Sequence, residues 1–305
     1  MTNDLVIVHD PGYAGWAFNP AHPTQGRRFI NGFNAVLEGC IKHRITPTIT
    51  APQIPDSELL ARVHTDRYLG EVIDEYRCAE WQGERSDLAD LAQLFVGGTM
   101  TALHALLSEQ TRTAVHLPGA KHHAQADTSS GFCVFADFAI AALFARDAGH
   151  RVAILDIDAH HGDGTENLVG GSDGILTFSI HQYGIFPGTG AASSPAEAVF
   201  NVPLQHGDGD AALMDGVQQF LTSTQQWQPT MLFIAAGADG LAEDPLAGLT
   251  YTTSGLASAC SLVRRAYPAH PILMGGAGGY LPDDGTPAAW GAMAMSLSTA
   301  PTSNP

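Results

Sequence analysis

Runs of apolar, β-prone residues that end abruptly in glycine or polar residues constrain the fold of this chain more than any other feature. They occupy 113–116, 151–157, 174–180, 231–236 and 271–274, and segments with helical spacing separate most of them. Strands that are apolar on both faces are typical of a parallel sheet covered by helices on both sides, and strand–helix–strand repetition favours the same architecture. The pattern predicts an α/β fold with a mostly parallel central sheet flanked by helices on both faces.

We expect a single domain over residues 1–305, because no Pro-, Ser- or Gly-rich linker interrupts the middle of the chain. An apolar fraction of 45% is sufficient for a large core. Inside a long helical segment at 88–107, Gly97 and Gly98 indicate that another part of the chain approaches closely, since neither has a side chain. Residues 296–305 are rich in Ser, Thr, Pro and Asn and predict a frayed tail.

The charge balance limits the partners of the chain. There are 14 Lys and Arg against 31 Asp and Glu, a formal net charge of −17. Such a surface repels nucleic acid and anionic membranes and attracts cationic ligands, although acidity equally serves solubility or salt tolerance. We therefore expect no nucleic-acid or membrane partner. The sequence leaves open whether copies of the chain associate into a homo-oligomer.

Cysteine spacing and hydropathy indicate the compartment. The four cysteines lie far apart, which argues against a disulfide framework and against a cysteine-based zinc site. No apolar run has the length of a membrane span, and the short acidic N-terminus is unlike a signal peptide. We therefore expect a cytoplasmic protein. The cysteines are Cys40, Cys78, Cys133 and Cys260.

Three acids and two histidines lie within residues 156–163, where one of the apolar runs ends. Buried polar groups cost free energy unless they are paired, and residues just past the end of a parallel strand line the ligand crevice. Asp158 and His160 are two positions apart, so at strand spacing both side chains leave on the same face. A carboxylate and an imidazole suit zinc or another divalent ion. The alternative is a polar, Gly-rich turn with surface histidines.

Polar residues also follow three other predicted strands. In chain order they are the pair His122 and His123, then Asp239, then Tyr280. Because such strand ends converge on one crevice, Asp239 is the natural third metal ligand. Two carboxylates and one imidazole leave an open coordination position, as in catalytic rather than structural zinc sites. Taken alone, Asp239 would be an ordinary turn or helix-cap residue.

These residue types together suggest hydrolysis. A divalent metal lowers the pKa of water toward ~7, and a neighbouring histidine can take the proton and return it to a leaving amine. Asp156 and Asp163 would each orient one imidazole of the histidine pair. Tyr280 follows a glycine run and would donate to a developing oxyanion. Taken one at a time, these residues have an alternative interpretation, since histidines are commonly surface residues and a tyrosine commonly packs against the sheet.

Two aromatic residues lie in Gly-flanked loops rather than at core spacing. They are Phe132, which follows Gly131, and Phe186. Two such walls would form a narrow tube for an aliphatic chain. Ordinary packing of loops explains the same spacing.

Together, these motifs resemble the histone deacetylase and acetylpolyamine amidohydrolase family, whose fold is that of arginase. The matching segments cover most of the chain in the family's order. They are Leu117–Ala124, Gly131–Cys133, Asp156–Thr165, Ser179–His181, Phe186–Gly190, Gly237–Asp239 with Asp244–Leu246, and Gly275–Tyr280. The loop before His122 has extra residues compared with the familiar Pro-Pro-Gly-His-His. In this it looks more like the bacterial acetoin-utilisation deacetylase branch.

The resemblance implies zinc ligands, an acid/base pair backed by two carboxylates, a phenol that polarises the acyl carbonyl, and the walls of an acyl-lysine tunnel. In that order these are Asp158, His160 and Asp239; His122 and His123 with Asp156 and Asp163; Tyr280; and Phe132 and Phe186, with Gly131. It also implies a structural potassium site at Asp156, Asp158, His160, Ser179 and Ile180. Leu246 falls at the rim position where polyamine-selective members carry an acid, so a leucine favours acyl-lysine.

The chain departs from the family pattern in two places. Lys121 stands beside the histidine pair, where glycine or an apolar residue is more usual, and would affect the charge at the site. No residue of the irregular stretch 75–87 aligns with a carboxylate that grips the substrate. Glu84 and Asp87 are the candidates.

The sequence therefore predicts a zinc-dependent amidohydrolase that removes acetyl or another short acyl group from a lysine nitrogen, with one zinc per chain and a structural potassium. Acetylated polyamines are the alternative substrates. A binuclear manganese ureohydrolase fits less well, because that chemistry needs more bridging carboxylates. A non-catalytic acyl-ligand binder would not need His122, His123 and Tyr280.

Overall fold

A single sheet of eight strands forms the centre of the computed structural model, which describes residues 5–299. The strands are β1 Val6–Val8, β2 Thr48–Thr50, β3 Thr113–His116, β4 Val152–Asp156, β5 Ile175–Gln182, β6 Val199–Leu204, β7 Met231–Ala235 and β8 Ile272–Gly275. Across the sheet their order is β2-β1-β3-β8-β7-β4-β5-β6. Every neighbouring pair is parallel.

Helices alternate with these strands along the chain. They are α1 Arg27–His43, α2 Ser57–Leu60, α3 Asp66–Leu69, α4 Ser86–Leu107, α5 Asp137–Asp147, α6 Asp163–Val169, α7 Asp210–Trp227, α8 Thr253–Ala266 and α9 Gly285–Ser298. One layer consists of α1, α9, α8 and α7, packed in that order, and α4, α5 and α6 form the other. The predicted fold, a parallel sheet with helices on both faces, is confirmed.

Two elements were not expected from the sequence. Strand β6 lies at the edge of the sheet and contains Pro203, a residue that edge strands tolerate and central strands do not. Helix α9 is apolar on nearly all sides and buried along most of its length, so it lacks the amphipathic periodicity by which a surface helix is recognised.

The frayed tail expected from residue 296 is wrong for its first residues. Helix α9 continues through Ser298, and Leu297 is buried. The Leu297 carbonyl accepts a hydrogen bond from Arg264 Nε at 2.7 Å, which ties this end of α9 to α8. Residues 300–305 lie outside the described residues.

The close approach expected at the glycines of α4 is confirmed. A Cβ on Gly97 would lie 1.8 Å from the Gln53 carbonyl oxygen, and one on Gly98 would lie 2.2 Å from Nε2 of His116. Neither distance is compatible with a side chain. Helix α4 therefore contacts the end of β3 without an intervening side chain at Gly98.

A buried histidine fixes the segment that leads into α5. The Nδ1 of His64 donates to the Gln125 carbonyl at 3.0 Å, and its Nε2 accepts from the Ala136 N–H at 3.0 Å. Only a neutral imidazole can do both. Burial lowers the pKa of His64 from 6.5 to about 4.

Acid should destabilise the protein through His64. The unfolded chain binds the proton near pH 6.5 and the folded chain resists it to about pH 4, so stability present above pH 6.5 is lost as the pH falls. The loss approaches about 3 kcal/mol. In urea unfolding between pH 6.5 and pH 4, the His64→Gln variant should lose less stability than the wild type. An equal loss in both proteins would contradict the assignment.

Candidate active site

Four neighbouring strands present polar loops at the same edge of the sheet. In spatial order these strands are β3, β8, β7 and β4, all parallel, so their carboxyl ends point the same way. The loops that follow them contain the histidine pair, the glycine run before Tyr280, Asp239, and residues 157–163. The topology thus brings the predicted site residues together from distant parts of the chain.

Asp158, His160 and Asp239 form a buried group whose candidate ligand atoms all lie within 4.8 Å of one another. The Nδ1 of His160 is 2.9 Å from Asp239 Oδ2 and 3.2 Å from Asp158 Oδ1. Backbone amides orient both carboxylates, since Gly278 N–H donates to Asp158 at 2.6 Å and Ala159 N–H donates to Asp239 at 2.9 Å.

This donor set fits a divalent cation. Burial and the nearby charge of Asp158 raise the pKa of Asp239 to about 6. Two carboxylates held this close in a buried site repel each other unless a cation lies between them, and two oxygens with one imidazole nitrogen suit zinc or iron. Glycine is required around them, because a Cβ on Gly278 would lie 2.3 Å from Asp239 Oδ2 and one on Gly237 would lie 2.4 Å from Asp158 Oδ2.

The adjacent histidines each bind one carboxylate. Nδ1 of His122 is 2.7 Å from Asp156 Oδ2, and Nδ1 of His123 is 2.6 Å from Asp163 Oδ1. Both predicted histidine–aspartate pairs are therefore present. The imidazole rings lie 4.0 Å apart, centre to centre. In this arrangement each carboxylate selects the tautomer with the proton on Nδ1, which leaves Nε2 for chemistry.

The two imidazoles hold protons very differently. Burial disfavours the charged form of His122, but the carboxylates of Asp156 and Asp158 outweigh it and raise the pKa to about 9. Burial and the charge of His122 together lower the pKa of His123 to about 3. Near neutral pH the pair therefore carries one positive charge, which resides on His122.

A cleft of about 400 Å³ leads from solvent to these groups. The residues that line it are Glu80, His123, Gly131, Phe132, His160, Phe186, Leu246 and Tyr280. The ring of Phe186 lies 4.9 Å from that of His123, and the ring of Phe132 lies 5.8 Å from that of Tyr280. Both aromatic residues expected at the tunnel therefore line one cleft.

Gly131 is needed because its surroundings in the cleft leave no space for a side chain. Its φ is +54°, and a Cβ there would lie 2.4 Å from the His123 ring and 2.9 Å from the Phe186 ring. A larger residue would fill the cleft beside the histidine.

Asp244 links the phenol side of the cleft to its rim. Its carboxylate accepts the Tyr280 N–H at 2.7 Å and the Leu246 N–H at 3.0 Å. Burial and the nearby Asp239 raise the pKa of Asp244 to about 7. Burial likewise raises the pKa of Tyr280 well above 10, so its hydroxyl remains a donor.

The two candidates for a substrate-gripping carboxylate do not line the cleft. Glu84 pairs with Arg77 at 2.6 Å and Asp87 with Arg85 at 2.7 Å, and both acids are more than half exposed. Glu80 lies in the cleft instead, and its Oε2 accepts the Phe132 N–H at 3.0 Å. Burial raises the pKa of Glu80. In the sequence, the neighbouring Trp81 could have indicated Glu80, because its buried ring holds this irregular loop in place.

Lys121 points away from the cleft. Its Nζ lies 5.2 Å from the ring centre of Phe95, 5.6 Å from that of Phe29 and 5.9 Å from that of Trp16. Burial lowers the pKa of this lysine to about 8. The side chain therefore packs among aromatic rings below the histidine pair.

Two of the residues implied in a potassium site are neighbours in the sheet. Asp156 and Ser179 are opposite each other on β4 and β5, and both line a cavity of about 10 Å³. Ser179 Oγ also lies 2.9 Å from Nδ1 of His181. Ile180 is buried in the next position of β5. Potassium at this place stays a prediction.

A family model described as "Histone deacetylase domain" matches residues 20–297, most of the chain. The chain belongs to the histone deacetylase family. Histone deacetylase 8 of Xenopus laevis is 31% identical over 262 residues, with 77% of this chain and 78% of that protein covered. The acetoin utilization protein AcuC of Bacillus subtilis (strain 168) is 29% identical over 271 residues, with 82% and 70% covered.

Human histone deacetylase 1 is a more distant relative, 28% identical over 301 residues that cover 90% of this chain and 61% of that protein. The resemblance inferred from the motifs is confirmed, and membership of the histone deacetylase family supports a hydrolase of the deacetylase type. Between residues 5 and 299, no helix is both long enough and apolar enough to cross a bilayer.

Proposed function

We propose that this histone deacetylase family member is a zinc-dependent hydrolase that removes acetyl or another short acyl group from a lysine side chain. The observation that carries the proposal is the convergence of Asp158, His160 and Asp239 beside His123 and Tyr280 at the inner end of an aromatic-walled cleft. Residues 1–305 would form a single catalytic domain.

Zinc bound by the two aspartates and the histidine would polarise the acyl carbonyl and make water nucleophilic near neutral pH. The backbone amides of Gly278 and Ala159 hold the two carboxylates in place. These carboxylates therefore need not reorganise during the reaction.

Proton transfer falls to the histidine pair. His123 lines the cleft and is neutral, so its Nε2 takes a proton from the attacking water and returns it to the leaving amine. Asp163 keeps the imidazole in the tautomer that this transfer needs. His122, held by Asp156, remains protonated and stabilises the negative charge that develops nearby.

Tyr280, which also lines the cleft, would complete the site. Its phenol stays protonated and donates to the acyl oxygen as that atom gains charge. Asp244 holds the Tyr280 backbone and thereby the position of the ring. Such a donor acts on the transition state more than on the bound substrate, so it changes kcat rather than KM.

The cleft suits the methylene chain of lysine. Phe132 and Phe186 offer apolar faces to it, and Leu246 at the rim carries no charge that would attract a second amine. Acetylated polyamines are the second candidate, because the net charge of −17 and the carboxylate of Glu80 favour cationic ligands in general.

Glu80 is expected to anchor the substrate at the mouth of the cleft. One of its oxygens binds the Phe132 amide, and we assign the other to an N–H of the substrate. The Glu80→Gln variant should raise KM for an acetyl-lysine peptide about tenfold or more with little change in kcat. Glu84→Gln is the matched control, since Glu84 pairs with Arg77 outside the cleft. Equal KM values in both variants would remove Glu80 from substrate binding.

A direct comparison of substrates tests the proposed function. We would measure kcat/KM for a fluorogenic acetyl-lysine peptide and for acetylputrescine, with the same zinc-loaded protein. Preference for the peptide supports the lysine deacylase. Preference for acetylputrescine would overturn it in favour of a polyamine deacylase, and hydrolysis of neither would favour a non-catalytic acyl-ligand binder.

Further properties belong to the same proposal. We place the protein in the cytoplasm, which the four free cysteines support. The acidic composition supports partners other than nucleic acid and anionic membranes. We also propose a structural potassium ion at Asp156, Asp158, His160, Ser179 and Ile180. Sizing experiments would show whether the protein forms a homo-oligomer.

A further inference from the structure

Asp137, outside the cleft, holds the turn that precedes the histidine pair. This carboxylate is fully buried at the start of α5. Its Oδ2 accepts the Ala120 N–H at 3.0 Å and its Oδ1 accepts the Lys121 N–H at 2.7 Å. The next residue along the chain is His122. Two hydrogen bonds that one carboxylate accepts therefore fix the backbone immediately before the catalytic imidazoles.

The turn needs this support because its geometry is unfavourable. Ala120 has a φ of +64°, a left-handed conformation that residues other than glycine rarely adopt. Such a conformation persists only where the surrounding structure imposes it. The two amides bound by Asp137 belong to Ala120 itself and to Lys121, so the carboxylate acts directly on the strained residue.

A buried chain of hydrogen bonds holds Asp137 in turn. The hydroxyl of Thr99 donates to Asp137 Oδ2 and lies 3.0 Å from Nδ1 of His116, whose Nε2 lies 3.0 Å from the hydroxyl of Tyr13. The Thr99 hydroxyl donates its only proton to the Asp137 carboxylate. Its oxygen must therefore accept a hydrogen bond from Nδ1–H of His116. Nε2 of His116 then accepts from the Tyr13 hydroxyl. Each hydrogen bond in this series therefore has a defined donor and a defined acceptor.

This chain of hydrogen bonds joins four separate elements. Tyr13 belongs to the 3-10 helix Pro11–Gly15, Thr99 to α4, His116 to β3 and Asp137 to α5. Burial lowers the pKa of His116 to about 3, so the imidazole stays neutral and can donate and accept at once. The His116 ring fits against α4 only because residue 98 is glycine, since a Cβ on Gly98 would overlap the ring.

We propose that Asp137 is a positioning residue for the His122–His123 pair and that the Thr99–His116–Tyr13 chain sets the position of Asp137. The proposal rests on the proposed function, since a catalytic role for the pair is assumed. A displacement of about 1 Å in a catalytic group can lower a rate about a hundredfold, and the turn at Ala120 lies within three residues of both imidazoles.

The Asp137→Asn variant tests the proposal. Its amide can accept only one of the two backbone N–H groups and turns its own N–H₂ toward the other. We expect kcat to fall about a hundredfold while KM changes less than about threefold. Asp147→Asn is the matched control at the other end of α5, where Asp147 is half exposed and pairs with Arg62. It should leave kcat unchanged.

A second pair of variants keeps the test decisive if Asp137→Asn does not fold. Thr99→Val keeps the shape of the side chain but removes the hydroxyl, and kcat should fall about tenfold. Thr99→Ser restores the hydroxyl and should restore kcat. Equal kcat values in Thr99→Val and Thr99→Ser would overturn the role of the hydrogen-bond chain.

A spectroscopic measurement separates this proposal from the proposed function. The Nδ1 protons of His122 and His123, each bound to a carboxylate, should give low-field proton NMR signals that weaken or shift in Asp137→Asn but not in Asp147→Asn. Failure of the wild type to hydrolyse any acylated amine would defeat the proposed function and leave this readout intact. Unchanged signals and unchanged kcat in Asp137→Asn, with only a lower melting temperature, would show a purely structural role.

Discussion

Replacing Tyr280 with Phe should lower kcat for an acetyl-lysine peptide by about 10²–10³-fold, the usual effect of removing one donor to a developing oxyanion. The hydroxyl is the only group lost, and the ring keeps its contact with Phe132 at 5.8 Å. KM should change little, because the donor binds the acyl oxygen most strongly in the transition state. Steady-state kinetics with the zinc-loaded variant measures both constants.

Tyr267→Phe is the control for this experiment. Tyr267 also loses a hydroxyl that is hydrogen bonded, to Thr224 at 2.7 Å, but it follows α8, remote from the cleft. Its kcat should match that of the wild type. Unchanged turnover in Tyr280→Phe would remove the phenol from the mechanism.

Replacing His123 with Gln should lower kcat by about 10²–10⁴-fold, the range for loss of a general acid–base group. Glutamine can still donate to Asp163, as Nδ1 of His123 does at 2.6 Å, but it cannot accept a proton from water near neutral pH. Zinc content should remain that of the wild type, because His123 is not one of the three clustered ligands. The measurement is kcat together with the zinc-to-protein ratio.

His104→Gln is the matched control, since His104 is exposed on α4. Full activity in His123→Gln would transfer the acid–base role to another group. A loss of zinc along with activity would mean that the variant reports on the metal site and not on proton transfer.

The sheet and the clustered site residues were predictable because they depend on local patterns and on one topological rule. Apolar runs form strands, and parallel strands place their ends at one edge. Asp239 lies far along the chain from Asp158 and His160, yet all three follow strands, which is why their meeting could be expected. The family resemblance added the roles of the individual residues.

What the sequence did not show depends on loop paths and on contacts between elements. Glu80 lies in an irregular stretch among several acids, and only the folded loop shows that it, rather than Glu84 or Asp87, reaches the cleft. Lys121 looked like a charge beside the histidine pair, whereas its side chain turns toward three aromatic rings. A side chain's direction in a turn is not encoded in its spacing.

Asp137 shows the same limitation for the support of the site. At the sequence level it is one acid at the beginning of an Ala-rich helix, without any motif around it. Its partners lie 16 to 38 residues away on other elements, and only their approach in the fold gives the carboxylate a function. The edge strand β6 and the all-apolar helix α9 escaped prediction for a related reason, since each depends on neighbours.

The most direct test of the zinc mechanism is the metal content of the purified protein, measured together with hydrolysis of a fluorogenic acetyl-lysine peptide before and after chelation. We predict about one zinc per chain, since Asp158, His160 and Asp239 form one three-ligand site. Activity should disappear on chelation and return with added zinc. Two manganese ions per chain, or hydrolysis that survives complete removal of metal, would contradict the mononuclear mechanism.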